Sequence, residues 1–188
     1  MKRLVIAACA VLPSVAVALS SAWAAAAPAP PPGIILSSTS FTDGGVIPDK
    51  YTQASPTPVS PALQWVNTPA GTQSFTLILH DPDAAPQRKS DDVLHWLMFN
   101  IPGAATSLPE GIDASPARPD GSVQAKNIGG KVGFMGPGSR NVYHHYTFEL
   151  YALDIKLPLG PDATRAEVLK AMDGHILGKG VVEGRFHR

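Results

Sequence analysis

Three side chains that could bind an anion or exchange a proton lie close together in residues 74–101. Asp81 and Asp83 follow one apolar run, and His95 lies inside the next. Residues two apart in an extended segment share a face, so both carboxylates could point into one pocket. A carboxylate beside His95 would fix its tautomer and leave the second ring nitrogen for a ligand. On these residues alone, an ordinary Asp-Pro turn and a core histidine stay open as alternatives.

A second group of candidate ligand-binding residues lies further along the chain. Gly136 and Pro137 open a glycine-containing loop, whose backbone amides could cradle an oxyanion. His144 and Tyr146 are two residues apart, so on a strand they share one face while His145 points away. An imidazole and a phenol hydroxyl together suit a phosphate or a carboxylate. The alternative that spacing leaves open is the polar rim of a hairpin.

Strands must position these side chains, and the hydrophobic pattern predicts several of them. The single predicted helix is Arg165–Met172, with Thr164 and Glu167 at capping-box spacing. Strands that do not alternate regularly with helices indicate a mainly β, antiparallel domain. The predicted strands are residues 34–40, Leu63–Val66, Ser74–Asp81, 93–101, 146–154 and 180–188.

Three further positional predictions follow from the pattern. Strict alternation places His95 on the same face as Leu97, Phe99 and Ile101. The Ala85–Pro86 bond is a candidate for the cis form, because cis-proline occurs mainly in tight turns. Residues 108–133 are too long for a bare loop, so we expect ordered turns there.

The N-terminal residues indicate export. Lys2 and Arg3 precede an apolar run, and residues 22–24 form a small-x-small cleavage site, so residues 1–24 are predicted to be a secretory signal peptide. Residues 25–33 form a proline-rich tether, and residues 34–188 form a single domain. We expect a periplasmic or secreted protein with no integral membrane segment after cleavage.

Composition excludes several classes of function. The only cysteine, Cys9, lies in the predicted signal peptide, so the mature chain would have no disulfide, thiolate nucleophile or cysteine–zinc site. The whole chain has 15 basic and 15 acidic residues, which argues against nucleic-acid binding because that needs a concentrated basic surface. We expect no metal and no other cofactor.

Three ordered motifs carry a family resemblance. The segments HDPDAAP, LHWLMFNIP and GPG, the last followed five residues later by HHYTFELYALD, resemble the phosphatidylethanolamine-binding, or Raf-kinase-inhibitor-like, protein family. The match is closest to the bacterial periplasmic branch and covers roughly residues 35–188. The resemblance implies a two-sheet β-sandwich-like fold with peripheral helices, and a small pocket that takes phosphate, acetate or phospholipid head groups.

The resemblance also implies which residues form the pocket. Those matching the first motif are Asp81, Asp83 and His95, and those matching the second are Gly136, Pro137, His144 and Tyr146. Two departures affect ligand selectivity. The turn has an extra alanine (DPDAAP for the commoner DPDAP), and Gly138 replaces the usual proline, which we expect to make that wall more pliable.

The function expected from these features is non-catalytic binding of a small anion, with modulation of a partner protein as a further role. The alternative is a protein-interaction module, since the resemblance implies relatives that restrain kinases or proteases. A hydrolase is less favoured because Ser139 lacks a Gly-x-Ser-x-Gly elbow. Exposed sheet edges are compatible with a homodimer. Two aspartates beside an anion would repel it, unless a proton is shared or the histidines are charged.

Overall fold

The elements of the fold are nine strands, one α-helix and two short 3-10 helices in residues 33–188, the part of the chain that the computed structural model describes. The predicted signal peptide, and the tether apart from Gly33, lie outside these residues. The strands are β1 Ile35–Ser38, β2 Gly45–Val46, β3 Leu63–Val66, β4 Ser74–Asp81, β5 Val93–Pro102, β6 Ser107–Leu108, β7 Val123–Gln124, β8 His144–Leu153 and β9 Ile176–Phe186. The helix α1 is Arg165–Met172, and the 3-10 helices are Asp49–Tyr51 and Pro86–Arg88.

The strands form two sheets that enclose a core. The smaller sheet has the order β1-β3-β6, and the larger has the order β2-β9-β8-β4-β5-β7. Trp65 of the smaller sheet packs edge-on against Phe75 of the larger one, with ring centroids 5.2 Å apart. On its other face the larger sheet packs Ile78 and Leu97 against Val168 of α1. This confirms the prediction of a mainly β two-sheet fold. Among the strands of residues 33–188, only β2 pairs in parallel, with β9.

Sequence patterns predicted β3, β4 and α1 at their observed bounds. The helix begins with the expected capping box. Thr164 Oγ1 accepts a hydrogen bond from the Glu167 amide at 3.2 Å, and Glu167 Oε2 accepts one from the Thr164 amide at 2.8 Å. Within residues 33–188, no helix combines the length and the apolar character needed to cross a membrane.

Strand β9 begins earlier than predicted, at Ile176 rather than residue 180. Its glycines weaken the strand signal, because glycine is depleted in strands. Two of them allow close packing instead: a Cβ at Gly180 would lie 2.8 Å from Ile34 Cγ2, and one at Gly184 would lie 2.4 Å from Ile47 Cγ1. The resulting long β9 pairs with the whole of β8.

A β-bulge in β5 changes the orientation of its histidine. Leu79 of β4 pairs with Trp96, but the next residue, His80, pairs with Leu94, so His95 is an extra residue in the ladder. In such a bulge alternation is interrupted, so neighbouring residues can lie on one face. His95 therefore faces the space between the sheets together with Trp96.

The prediction that His95 shares a face with Leu97 and Phe99 is therefore wrong. Those two side chains pack on the helix side of the larger sheet. A second irregularity, at Asn100 with a φ of 56°, shifts the register again. Ile101 consequently returns to the face between the sheets, where it joins the core.

The long segment after β6 is held by ordered turns, as predicted. Gln124 is fully buried, and its side chain accepts a hydrogen bond from Trp96 Nε1 at 2.7 Å. Its amide nitrogen donates to the Asp113 and Ser115 carbonyls at 2.7 and 2.9 Å. One buried glutamine thus ties the segment to the sheet, a long-range contact that no local pattern signals.

We expect Gly103→Ala to destabilise the fold. An added Cβ would lie 2.4 Å from the Thr72 carbonyl oxygen and 2.8 Å from the Gln73 carbonyl carbon, both of which are backbone atoms that cannot easily move. The loss should be roughly 1–3 kcal/mol in the free energy of unfolding, measured by urea denaturation. Gly160→Ala is the matched control, because its Cβ meets no atom within 4 Å. Equal free energies of unfolding for the two variants would contradict this packing.

Candidate functional site

A small cavity lies where β4, β5 and β8 meet the loop before β8, and its volume is about 230 Å³. A cavity this size holds several water molecules at about 30 Å³ each, so it can accept a small anion. Four of the seven predicted site residues line it: Asp81, His95, His144 and Tyr146. The other lining residues are Gln53, Ala84, Val93, Met135, Gly138 and Ser139.

The carboxylate of Asp81 is buried and bonded on both oxygens. Oδ1 accepts the backbone amides of Asp83 and Ala84, at 3.0 and 3.1 Å. Oδ2 lies 2.8 Å from Nδ1 of His144. Because a carboxylate only accepts, Nδ1 of His144 carries the proton in this bond. The other nitrogen, Nε2, remains available to a ligand.

His95 is held in the same tautomer by a different group. Its Nδ1 lies 2.9 Å from the Met135 carbonyl oxygen, which can only accept, so Nδ1 carries a proton. The ring also meets Tyr146 edge-on, with centroids 5.2 Å apart. Burial lowers the pKa of His95 below its ordinary value, although the Met135 carbonyl and Asp81 oppose this. A neutral His95 presents Nε2 as a hydrogen-bond acceptor.

The loop amides, which we expected to contact an anion directly, donate hydrogen bonds to Tyr146 instead. Its hydroxyl oxygen accepts from the amides of Gly138 and Ser139, at 3.1 and 2.9 Å. Burial raises the pKa of Tyr146, so the hydroxyl keeps its proton at neutral pH. The loop therefore positions a phenolic donor instead of exposing its own amides.

Asp83 lies outside the cavity, so the two carboxylates do not share a face. Its Oδ2 accepts from the backbone amide and from Nδ1 of His145, both at 2.7 Å. The His145 backbone amide, more than any other group, lowers the pKa of Asp83. The two-residue alternation of an extended strand does not continue here, because the Asp81 side chain caps the turn and the extended conformation ends. One carboxylate rather than two lines the cavity, so an anion there would meet less repulsion than the sequence led us to expect.

Gly136 and Pro137 do not line the cavity, but their carbonyls hold Gln53, which does. The Gly136 carbonyl accepts from Gln53 Nε2 at 3.0 Å, and the Pro137 carbonyl accepts from the Gln53 amide at 2.8 Å. Gln53 was missed because it lies in a proline-rich stretch without periodicity. A Cβ on Gly138 would lie 2.4 Å from Gln53 Cδ, so this glycine allows Gln53 to pack against the loop.

The turn after β4 also differs from the sequence expectation. Every peptide bond in residues 33–188 is trans, so the predicted cis bond at Ala85–Pro86 is wrong. The extra alanine is accommodated because Pro86 begins a 3-10 helix that ends at Arg88. The alanine that lines the cavity is Ala84, whose backbone amide donates to Asp81 Oδ1.

Comparison with known proteins identifies the family to which this arrangement belongs. Residues 37–187 match the family described as phosphatidylethanolamine-binding protein. The chain belongs to the phosphatidylethanolamine-binding protein family. The match covers the larger sheet, α1, every predicted site residue, and the smaller sheet except the first two residues of β1.

Relatives with similar sequences or structures come from both archaea and bacteria. A UPF0098 protein from Methanothermobacter thermautotrophicus is 41% identical over 153 residues, covering 81% of this chain and 98% of the relative. The homologue CT736 from Chlamydia trachomatis has a TM-score of 0.75 at 30% identity, over 83% of this chain and 98% of its own. YbcL from E. coli has a TM-score of 0.71 at 26% identity, over 84% and 99%. Placement in a bacterial periplasmic branch stays a prediction.

We expect His95 to titrate below the ordinary histidine value of about 6.5, because burial opposes its charged form. The folded protein then binds fewer protons than the unfolded chain as pH falls below that value. This group's contribution to stability is complete above it and is lost as pH falls. A nuclear magnetic resonance titration, with His95→Gln to assign the signal, measures the midpoint. A midpoint at or above the ordinary value would contradict the buried, neutral imidazole.

Proposed function

We propose that this family member is a non-catalytic binding protein for a small oxyanion, either phosphate, a phosphate ester or a carboxylate. The observation that carries the proposal is the convergence of three polar side chains on one cavity. His95 and His144 each have Nδ1 occupied by a protein acceptor, and Tyr146 has its hydroxyl oxygen held by two amides. Two imidazole Nε2 atoms are thus left for a ligand, and the Tyr146 hydroxyl has a proton that it can donate to Asp81 or to that ligand.

The arrangement favours an anion that is bound together with one proton. A neutral Nε2 accepts a hydrogen bond, so it requires a ligand that donates one, such as a protonated phosphate or a carboxylic acid. Alternatively, Nε2 of one ring carries the proton and donates it to the anion. Both routes place one proton between the anion and an imidazole ring.

A positive side chain contacts two residues of the cavity wall. Nη1 of Arg188 donates to the Gln53 carbonyl at 2.9 Å, and the Arg188 amide donates to the Ser139 carbonyl at 3.2 Å. Gln53 and Ser139 both line the cavity. The guanidinium therefore favours entry of an anion without occupying its site.

The geometry does not favour a hydrolase that uses Ser139. Its Oγ donates to the Val142 carbonyl at 2.7 Å, whereas an activated serine needs a base that takes its proton. Within residues 33–188, no group of three or more histidine, cysteine, aspartate or glutamate side chains is arranged to hold a metal ion. Binding is therefore the function that we propose.

The location and partners of the protein are further parts of the proposal. The basic start, the apolar run and the small-x-small site in residues 1–24 support export to the periplasm or the exterior. Recognition of a phosphate or carboxylate on a partner protein, and assembly as a homodimer, stay predictions from the sequence.

We expect His144→Gln to weaken phosphate binding by about tenfold or more, since a hydrogen bond to a charged group contributes about 1.5–3 kcal/mol. His145→Gln is the matched control, because the neighbouring side chain points away from the cavity to Asp83. Isothermal titration with inorganic phosphate compares the two variants. Equal losses in both, or no loss in His144→Gln, would count against this site.

We expect phosphate affinity to fall as pH rises from about 5.5 to 8, because the complex needs a proton that is progressively lost. The lowered pKa of His95 leads to the same pH dependence. Its ring is neutral over most of that range and accepts a hydrogen bond, so the proton must come from the ligand. Sulfate has no exchangeable proton in this range, so a similar fall with sulfate would place the proton on the protein. Affinities for both anions that stay constant would rule out binding together with a proton.

A further inference from the structure

A group of charged side chains lies on the face of the larger sheet that is covered by α1, opposite the anion cavity. His80 is at its centre, because it follows Ile78 by two residues in a regular β4–β8 ladder. Its Nδ1 lies 2.5 Å from Oδ2 of Asp92, and its Nε2 lies 3.8 Å from Oε1 of Glu149. A carboxylate only accepts hydrogen bonds, so Nδ1 carries a proton. The ring therefore lies between two negative groups.

Each of these carboxylates is also bound to a permanent cation. Oδ1 of Asp92 accepts from Nη1 of Arg165, the first residue of α1. Oε1 of Glu149 accepts from Nζ of Lys179 at 2.5 Å. The contact with His80, more than any other, lowers the pKa of Glu149 to about 2, so this carboxylate stays charged.

The same contacts favour the charged form of His80. Burial lowers the pKa of this ring, and the nearby Arg165 adds to that effect. The contacts with Glu149 and Asp92 outweigh both and raise the pKa above its ordinary value. On the cavity side of the sheet, the pKa of His95 is lowered mainly by burial and further by the charge on His80. The two rings therefore titrate on opposite sides of the ordinary value of about 6.5.

The chain joins this network to the wall of the anion cavity. Asp81 follows His80 directly and Val93 follows Asp92 directly, and both Asp81 and Val93 line the cavity. The connection between β4 and β5, residues 82–92, is thus fixed at each end by a carboxylate. Asp81 caps its start on the cavity side, and Asp92 holds its end on the helix side.

We propose that His80 is a positioning residue for the anion site. Its charged ring, together with Arg165, holds Asp92 against the sheet and thereby keeps Val93 in the cavity wall. When the ring loses its proton, its attraction to Asp92 weakens and the end of the connection is held less firmly. This role rests on the function proposed above, in which the cavity binds a small oxyanion.

We expect His80→Gln to weaken phosphate binding about three- to tenfold near pH 6, the size expected for a residue that acts through a network rather than on the ligand. Glutamine can keep a hydrogen bond to Asp92 but cannot carry the charge. His175→Gln is the matched control. It removes a histidine whose Nδ1 lies 2.8 Å from Asp154, beyond the far ends of β8 and α1. Isothermal titration with inorganic phosphate compares both variants with the wild type.

The pH dependence of this loss separates charge from packing. Because the folded pKa of His80 is raised, the contribution of the charged ring is complete below about 6.5 and is lost as pH rises through the folded midpoint. The weakening caused by His80→Gln should therefore shrink above that midpoint, which a nuclear magnetic resonance titration of the ring measures. A loss of the same size at every pH would show that the ring acts only by packing, and would overturn the role of its charge.

Two further measurements do not depend on how well His80→Gln folds. Arg165→Gln, at the partly exposed start of α1, removes the other bond to Asp92 and should weaken phosphate binding by a similar factor. In the wild type without phosphate, the Val93 methyl resonances should shift with the His80 midpoint, above about 6.5 and separate from the step of His95.

The outcomes separate the two proposals. Weaker phosphate binding in both variants, with a Val93 step at the His80 midpoint, supports the positioning role. If the wild type binds phosphate but neither variant binds it more weakly, or the Val93 methyls show no such step, the positioning role is overturned while the anion site stands. If the wild type does not bind phosphate, both proposals are overturned.

Discussion

The buried carboxylate of Asp81 is the group on which the site depends. It is 4% exposed, and a buried charge of this kind is costly unless its oxygens are bonded. One oxygen caps the turn after β4, and the other holds the imidazole of His144 on β8. The same carboxylate thus fixes where the chain turns, which nitrogen of His144 carries a proton and how far apart the cavity walls stand.

Irregular backbone positions the other side chains of the cavity. A regular β5 would place His95 among the side chains under α1, and only the bulge turns it toward Tyr146. The loop of residues 136–139 then gives its amides to Tyr146 and its carbonyls to Gln53, so it orients side chains on both sides of the cavity. The two histidine rings, the tyrosine hydroxyl and Gln53 are therefore each held by hydrogen bonds within the protein.

Local patterns predicted the features that depend on nearest neighbours. The hydrophobic pattern predicted β4 and β5, capping-box spacing predicted α1, and the two-residue alternation of the regular β8 separated His144 from His145. The alternation rule predicted the wrong orientation for His95 and Asp83, because a bulge and a capped turn interrupt the two-residue repeat. Gln53 could not be predicted, since its role arises from contacts with a loop more than 80 residues away.

A crystal structure of the protein soaked in phosphate tests the central claim most directly. Bound phosphate should lie within hydrogen-bond distance of Nε2 of His95, Nε2 of His144 and the hydroxyl of Tyr146, with Asp83 outside its contacts. A cavity without phosphate at saturating concentration, or phosphate bound only elsewhere on the surface, would contradict the account.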